Sequence, residues 1–204
     1  MIKSEKNVST ADTGKKMGHI SEGLKLVLPD ATGIIKSPVK KFNELKKRNA
    51  ADVLLYIFAT SAVYAVLYGL MTLIGYDIID AYGFLKPFGT WRMIFLIYLM
   101  SVGSIFLNSA IIHVFVIIVE GKKGLFESLK VVAYANTPSF LFGWIPVAGI
   151  LASIWALVLE TLAIRELHEI STGRAVIAMI LPYIISVCIF ISLFFIPAPY
   201  PIMK

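Results

Sequence analysis

The sequence contains little charge and almost no cysteine. Only 16% of its 204 residues are charged, and its single cysteine, Cys188, lies in a long apolar run. One cysteine excludes an intrachain disulfide and a cysteine-based zinc cluster, and its apolar surroundings predict an inert, buried thiol. Soluble domains are usually about 25% charged and about 45–50% apolar, whereas this chain is 58% apolar. Because a soluble domain of this length buries only about 70% of its unfolded surface, the composition predicts that lipid is the solvent.

Sequence motifs for catalysis and for cofactor binding are also missing. The sequence contains no Gly-x-x-x-x-Gly-Lys-Ser/Thr, Gly-x-Ser-x-Gly or His-Glu-x-x-His pattern. It also lacks the His-x-x-x-His and Glu-x-x-His pairs with which helices hold metal ions. We therefore predict that the protein is not an enzyme and that it binds no cofactor and no metal ion.

Positive charge is present, but its excess is confined to the N-terminal region. Residues 1–50 contain eleven Lys or Arg and five Asp or Glu, whereas residues 51–204 contain eight of each. No aromatic or glycine motif of nucleic-acid-binding proteins accompanies the basic residues, so nucleic acid is not predicted as a partner. An excess of Lys and Arg beside the first apolar segment is typical of a cytoplasmic flank. The N-terminus is therefore predicted to lie in the cytoplasm.

The N-terminal region divides into a tail and a membrane-surface segment. Residues 1–16 are polar and predict a mobile tail. They do not resemble a signal peptide, because neither an apolar stretch nor a small-residue cleavage site follows them. Residues 17–50 predict a basic amphipathic segment. Within it, apolar residues at helical spacing predict a short helix over residues 17–28 that ends at Pro29.

A second short helix is predicted over residues 39–48. Ser37-Pro38 reads as its N-cap followed by a first-turn proline. Val39, Phe42 and Leu45 share one side of this helix, which we expect to lie in the acyl boundary of the membrane. The candidate contacts to anionic lipid headgroups are Lys40, Lys41, Lys46, Lys47 and Arg48. A solvated helix next to the membrane is the alternative.

Apolar segments make up the rest of the chain. Four of them are long enough to cross a membrane, namely residues 53–74, 92–119, 147–164 and 174–196. The stretch over residues 125–142 is weaker, because it contains Glu127, Lys130, Asn136 and Pro138. Residues 51–196 thus predict an all-α, polytopic transmembrane helix bundle, and residues 197–204 an extended, Pro-rich tail.

The stretch over residues 125–142 decides between two topologies. If it crosses the membrane, there are five spans, and if it lies on the surface, there are four. With five spans, Arg165 and Arg174 share the cytoplasmic side with the basic N-terminus, and Trp144 lies at the opposite interface, where such rings are enriched. We therefore predict five spans, a cytoplasmic N-terminus and an external C-terminus.

Three polar residues lie inside predicted spans. His113 and Asn108 are on the second span, and Glu160 is near the end of the fourth. Polar groups within spans are functional candidates by default, for example in a proton or ion path. An interhelical hydrogen bond, worth about 1–2 kcal/mol or less in a bilayer, is the alternative that we favour for His113 and Asn108. Three alternatives are open for Glu160, which could reach Lys130, reach the basic turn, or extend toward water.

The third candidate span is interrupted by Tyr134, Asn136 and Pro138. Pro138 lacks the N–H that would bond the carbonyl of Tyr134, so the chain is expected to bend there. The freed carbonyl and Asn136 then need partners within the bundle. This is the most site-like place on the chain, although a structural kink is the reading that we favour.

Four short patterns occur in a particular order along the chain. They are Ser37-Pro38 with Phe42, the stretch Ser-Leu-Lys-Val-Val-Ala-Tyr-Ala-Asn-Thr-Pro that starts at Ser128, Gly143-Trp-Ile-Pro146, and Arg-Glu-Leu-His-Glu-Ile-Ser-Thr-Gly-Arg-Ala, which starts at Arg165. Together they resemble the Yip-domain family, the Ypt/Rab-interacting integral membrane proteins and their prokaryotic relatives. Because residues 1–50 are basic and lack an Asp-Leu-x-Gly-Pro-like motif, the chain looks closer to the archaeal or bacterial members.

The resemblance implies a five-helix membrane domain with a cytoplasmic N-terminus. For the eukaryotic members it also implies binding of prenylated Rab GTPases and roles in vesicle traffic. We thus predict a non-enzymatic integral membrane protein, in the cell membrane if the source is prokaryotic. It would act as a scaffold or adaptor in membrane organisation or trafficking, binding anionic lipid or a cytoplasmic protein.

Two questions about assembly and activity stay open at this level. Ala148, Ala152 and Ala156 recur at four-residue spacing, which allows helices to approach closely either within the monomer or in a homo-oligomer. The alternative function is a small transporter or channel with a polar path near His113 and the interrupted third helix, since interrupted helices often mark transport sites.

Overall fold

The computed structural model describes residues 22–73 and 89–195, with side chains up to residue 192. All regular structure within these ranges is α-helical. The predicted polar tail over residues 1–16 and the Pro-rich tail over residues 197–204 lie outside the described residues.

Eight helices follow one another along the described ranges. They are α1 (residues 22–36), α2 (Pro38–Leu45), α3 (Ala50–Leu73), α4 (Gly89–Ile118), α5 (Leu125–Ala135), α6 (Thr137–Phe142), α7 (Pro146–His168) and α8 (Thr172–Phe195). Several of their boundaries follow from local chemistry. Asn49 precedes α3, and its Oδ1 accepts the backbone N–H of Asp52 at 2.9 Å, as an N-cap does. Pro38 and Pro146 occupy the first turns of α2 and α7, as the sequence predicts.

Four of the described helices are long and apolar enough to cross a membrane. They comprise α3, α4, α7 and the part of α8 from Thr172 to Ser192. Many large apolar side chains on these helices face outward, including Leu70, Met100, Ile150 and Phe190. Such an apolar exterior is expected where lipid replaces water around the protein. The fifth predicted span corresponds to two shorter helices, α5 and α6.

Helices α5 and α6 lie inside the bundle. Helix α5 packs against α3, α4 and α7, and α6 packs against α3 and α7. The last six residues of α5, Lys130 to Ala135, are all buried. The helix is interrupted at Asn136, two residues before Pro138. Proline has no backbone N–H, so it cannot form the helical hydrogen bond to the carbonyl of Tyr134 that would continue α5.

The N-terminal helices differ from the sequence prediction in two respects. Helix α1 continues through Pro29 to residue 36, so the prediction that Pro29 ends it is wrong. Proline removes only one helical hydrogen bond, and the buried residues Asp30, Ala31 and Ile34 anchor the turns that follow it. Helix α2 is also shorter than predicted, since it ends at Leu45 rather than at residue 48.

The apolar side of α2 faces protein rather than lipid. Phe42 and Leu45 are fully buried in the main core together with Ile34, and α2 packs against α7. The expectation that they lie in the acyl boundary was therefore wrong, and only Val39 of that side is exposed. The amphipathic pattern was read correctly as one buried face, but the pattern does not specify whether lipid or a helix covers that face.

Cys188 also differs from expectation. Its side chain is exposed on α8, where the sequence predicted a buried thiol. Helix α8 is the least enclosed of the long helices, with 22% of its most apolar window buried inside the bundle. An apolar run indicates contact with an apolar medium, and on α8 that medium is the surroundings of the bundle rather than its core.

Candidate functional site

Ionisable side chains collect at one end of the bundle. This charged end comprises the α2–α3 turn (residues 46–49), the α4–α5 turn (residues 119–124) and the α7–α8 turn (residues 169–171). Three ion pairs hold the turns together, Lys46–Glu169 at 3.3 Å, Lys123–Glu169 at 2.9 Å and Arg174–Glu120 at 2.9 Å. Asn43 of α2 also donates to Glu166 of α7 at 3.0 Å.

Asp30 is the most enclosed carboxylate of the N-terminal helices. It is only 2% exposed, and its Oδ1 lies 2.8 Å from both Lys41 Nζ and Arg48 Nη2. Burial by itself lowers the pKa of Lys41 and of Arg48, but hydrogen bonds and attraction to Asp30 outweigh it and raise both values. These contacts tie α1 to α2 and to the start of α3.

The five candidate headgroup cations therefore fall into two groups. Lys41, Lys46 and Arg48 form ion pairs within the protein. Lys40 and Lys47 have exposed side chains on the outer side of α2 and of the turn after it. The sequence made all five look equivalent, whereas the structure leaves two of them exposed to a ligand.

Lys130 is a buried cation inside the charged end. Its side chain is about 1% exposed, and Nζ donates to the backbone carbonyl of Lys46 at 2.9 Å and to Glu127 Oε1 at 3.1 Å. The same Nζ lies 4.7 Å from the ring centroid of Phe126. The expectation that Glu160 reaches Lys130 was wrong, because Glu160 instead accepts a hydrogen bond from Tyr183 at 3.2 Å.

Ser128 joins two histidines from different helices. Its Oγ lies 3.1 Å from His113 Nδ1 on α4 and 3.1 Å from His168 Nε2 on α7. Ser128 itself is on α5, so one hydroxyl connects three helices. Because a hydroxyl has a single proton and two lone pairs, it donates to at most one of the two histidines and accepts from at least one. The remaining nitrogen of His168, Nδ1, is buried without a hydrogen-bond partner among the described residues.

Most polar groups at the helix break satisfy one another, but the hydroxyl of Tyr134 is buried without a hydrogen-bond partner among the described residues. Thr137 Oγ1 donates to the carbonyl of Tyr134 at 2.6 Å, which is the carbonyl that Pro138 leaves without an N–H. Thr137 in turn accepts a hydrogen bond from the hydroxyl of Tyr56 at 2.6 Å. The rings of Tyr56 and Tyr134 pack with centroids 4.4 Å apart. The break is thus a packed and largely bonded structural feature.

The six intramembrane candidates do not form one site. His113 joins the Ser128 cluster, and Tyr134 and Pro138 belong to the helix break. Asn136 donates to the carbonyl of Val132 in the last turn of α5 at 2.9 Å. Glu160 pairs with Tyr183 on α8, and Asn108 is exposed on α4.

A cavity of about 720 Å³ opens between the α4–α5 and α7–α8 turns. We call it the turn cavity, and its lining residues are Glu120, Lys122, Lys123, His168, Glu169, Ile170, Ser171 and Arg174. Hydrogen bonds from Lys123 and Lys46 lower the pKa of Glu169, which keeps this carboxylate charged. Glu120 and Glu169 adopt positive φ angles of 64° and 56°, which is uncommon outside glycine.

The residues that sequence reasoning missed are Asp30, Ser128 and Thr137. Each is an ordinary polar residue whose partner is distant in the sequence, so no periodic signal marks it. Among the three, only Thr137 could have been found from a local pattern. A proline at position 138 leaves the carbonyl of Tyr134 without its helical N–H, so another donor is required nearby. The neighbouring residue Thr137 supplies that donor.

Comparison with known proteins agrees with this architecture. No curated protein and no solved structure matches the chain. A family profile described as Yip1 domain matches residues 32–194, which include α2 to α7 and nearly all of α8. The matched region is most of the chain and contains all four helices that could cross a membrane. The chain belongs to the Yip1 domain family of membrane proteins.

Proposed function

We propose that this protein is a non-enzymatic membrane scaffold or adaptor whose charged end lies in the cytoplasm and binds anionic lipid or a cytoplasmic protein. The observation that carries the proposal is the exposure of Lys40 on α2 and of Lys47 in the turn after it, beside Lys41 and Arg48, which buried Asp30 holds in place. Cations held on a rigid support attract an anionic surface without first ordering a flexible segment.

Five membrane crossings are part of this proposal. At the start of α5, Ser128 contacts His113, which lies near the end of α4. After α6, Trp144 packs against the cluster that contains Met93, near the start of α4. The segment between them therefore runs along much of α4. Its 17 helical residues, 11 in α5 and 6 in α6, span about 26 Å at about 1.5 Å per residue, close to the roughly 30 Å of a hydrocarbon core.

Cysteine accessibility tests this topology in a Cys188→Ser background. Single cysteines replace Trp144, Ile170 and Met203, and intact cells are treated with a thiol reagent that does not cross the membrane. Five spans predict external labelling at positions 144 and 203 but not at position 170. External labelling at position 170 would refute the five-span arrangement.

Lipid binding is tested on the whole purified protein, because Phe42 and Leu45 are part of the main core. Native mass spectrometry in detergent compares phosphatidylglycerol with phosphatidylcholine. Each exposed cation near an anionic surface contributes about 1 kcal/mol, so Lys40→Gln and Lys47→Gln are each expected to weaken phosphatidylglycerol binding about fivefold.

Arg165→Gln is the matched control for this experiment. It removes one charge at the same end of the bundle, but Arg165 is already bonded to Glu166 at 2.7 Å. We expect this variant to bind phosphatidylglycerol like the wild type. Equal affinity for both lipids, or equal weakening by Arg165→Gln and Lys47→Gln, would contradict the proposed role of the two exposed lysines.

The transporter alternative has less support from the structure. At the helix break, the side chains of Tyr56 and Thr137 and the Tyr134 carbonyl bond to one another, and His113 bonds to Ser128. Ion flux into proteoliposomes, compared between the wild type and the His113→Ala and Asn136→Ala variants, distinguishes the two functions. Flux that both substitutions abolish would favour transport over the scaffold.

A further inference from the structure

The turn cavity contains more cations than its own carboxylates need. Lys122, Lys123 and Arg174 face two acids, Glu120 and Glu169. Lys122 is exposed and forms no ion pair with any residue that the structure describes. The volume of the turn cavity, about 720 Å³, falls within the roughly 300–1,000 Å³ of small-molecule sites. The cavity is thus suited to a small anion.

The two carboxylates have partners that remain when an anion enters. Glu169 lies between Lys123 at 2.9 Å and Lys46 at 3.3 Å, and Lys46 is not part of the cavity lining. Lys123 is therefore able to turn to a ligand while Lys46 still neutralises Glu169. Arg174 has five N–H donors, of which the bond to Glu120 uses one side.

His168 gives an independent indication of a ligand. It lines the cavity, is only 2% exposed, and bonds Ser128 through Nε2. Nδ1, on the ring edge away from that bond, is buried without a partner among the described residues. If His113 donates to Ser128 and Ser128 donates to His168, then Nδ1 carries the proton and is a donor for an anion.

The backbone at the start of α8 adds further donors. Ser171 lines the cavity immediately before α8, which begins at Thr172. A side chain added at Gly173 would meet no atom within 4 Å, so the backbone there is open. The first N–H groups of a helix lack intrahelical partners and attract anions.

Backbone strain in the cavity wall agrees with a binding role. Glu120 and Glu169 are the two non-glycine residues with positive φ among the described residues. Both follow helix ends, where glycine or asparagine is usual. Strained backbone conformations concentrate at ligand sites, because the surrounding structure must maintain them.

From these features we infer that the turn cavity is a binding site for a phosphate monoester, held by Lys122, Lys123, Arg174 and His168. A monoester carries nearly two negative charges at neutral pH, which matches the excess of two positive charges that Lys122, Lys123, Arg174 and the neighbouring Lys46 have over Glu120 and Glu169. A lipid headgroup and a soluble ester both supply such a phosphate, and the chemistry at the cavity is the same for the two sources. The inference does not require that Lys40 and Lys47 bind lipid.

Binding to the whole protein in detergent tests the inference, measured by native mass spectrometry at low ionic strength. The probes are phosphatidic acid, a monoester lipid; phosphatidylglycerol, a diester lipid; and glycerol 3-phosphate, a soluble monoester. We expect phosphatidic acid to bind more tightly than phosphatidylglycerol. Displacement of phosphatidic acid by glycerol 3-phosphate would identify a soluble source, and its failure to displace would identify the lipid.

Two variants and one control make the test specific. Lys122→Gln is expected to weaken phosphatidic acid binding about fivefold, and Arg174→Gln about tenfold or more, because it also removes a bidentate donor. Arg165→Gln lies outside the cavity and should leave this binding unchanged. Lys122 has no ion pair within the described ranges, so its replacement leaves folding intact even where Arg174→Gln does not.

Two results would overturn the inference. One is the absence of preference for either monoester over phosphatidylglycerol, and the other is wild-type binding by Lys122→Gln. Either result leaves the role of Lys40 and Lys47 standing, because that role is measured with phosphatidylglycerol and with different variants. The second result, together with loss of phosphatidic acid binding in the Lys40 and Lys47 variants, would place the phosphate at α2 and the turn after it.

Discussion

Replacement of Asp30 by asparagine should separate the buried ion pairs of the charged end from its surface pairs. Asp30→Asn keeps the shape of the side chain but removes the negative charge that Lys41 and Arg48 share at 2.8 Å. The two cations then remain close to each other without a carboxylate. Helix α1 should loosen from α2 and from the turn before α3, because this carboxylate connects them.

The magnitude follows from the burial of the three side chains. Removing one partner of a fully buried ion pair costs about 3–5 kcal/mol, whereas an exposed pair is worth about 0–1 kcal/mol. The Asp30 side chain is 3% exposed, but those of Lys41 and Arg48 keep 13% and 21% of their surface. Water therefore compensates part of the loss, and we expect about 2–3 kcal/mol.

The assay is thermal unfolding of the purified protein in detergent. For a chain of this size, 1 kcal/mol corresponds to about 2–4 °C, so Asp30→Asn should lower the midpoint by about 4–12 °C. Glu44→Gln is the matched control, since Glu44 pairs with the same Lys41 at 3.1 Å but is 52% exposed. Its midpoint should fall by no more than about 4 °C. Equal shifts for the two variants would refute the reasoning.

Three further predictions concern the charged end, the helix break and helix packing. Because hydrogen bonds from Lys123 and Lys46 lower the pKa of Glu169, its contribution to stability is fully present above the ordinary pKa of a glutamate and is lost as the pH falls through the lowered value. The unfolding midpoints of wild type and Glu169→Gln should therefore differ at neutral pH and converge in acid. Thr137→Val should lower the free energy of unfolding by about 1–3 kcal/mol in chemical denaturation, because it leaves the Tyr134 carbonyl unsatisfied. Adding Pro138→Ala to this variant should restore part of the lost stability, because alanine supplies an N–H to that carbonyl. Absence of any recovery in the double variant would contradict this account of the break. Gly149→Ala should lower the free energy of unfolding by about 1–3 kcal/mol, because the added methyl group would lie 2.9 Å from the backbone oxygen of Gly143. The control is Gly103→Ala, whose methyl group would meet no atom within 4 Å. This control should be neutral or slightly stabilising.

The sequence by itself determined the membrane class and most helix boundaries. The four long helices correspond closely to its four strongest apolar segments, because hydropathy is a local property that does not depend on how helices are arranged. Local chemistry also placed the helix starts at Pro38 and Pro146 and the interruption at Pro138. The four short patterns were sufficient to indicate the family that the profile match shows.

Local patterns were insufficient where a residue had more than one way to be satisfied. The amphipathic face of α2 fitted lipid and protein equally well, and the structure buries Phe42 and Leu45 against the bundle. An apolar run suited a buried Cys188 and an exposed one alike, since both surroundings are apolar. Pro29 fitted a helix end, but burial of the residues that follow it keeps α1 continuous.

Only the tertiary structure decided which charges are free and which polar groups meet. Lys40 and Lys41 are adjacent in sequence, yet Asp30 engages Lys41 and leaves Lys40 exposed. Ser128 gains its role only because α4, α5 and α7 bring His113 and His168 to the same hydroxyl. Hydropathy and capping act over a few residues of one chain segment, whereas ion pairs and hydrogen bonds between helices depend on the packing of segments that are distant in sequence.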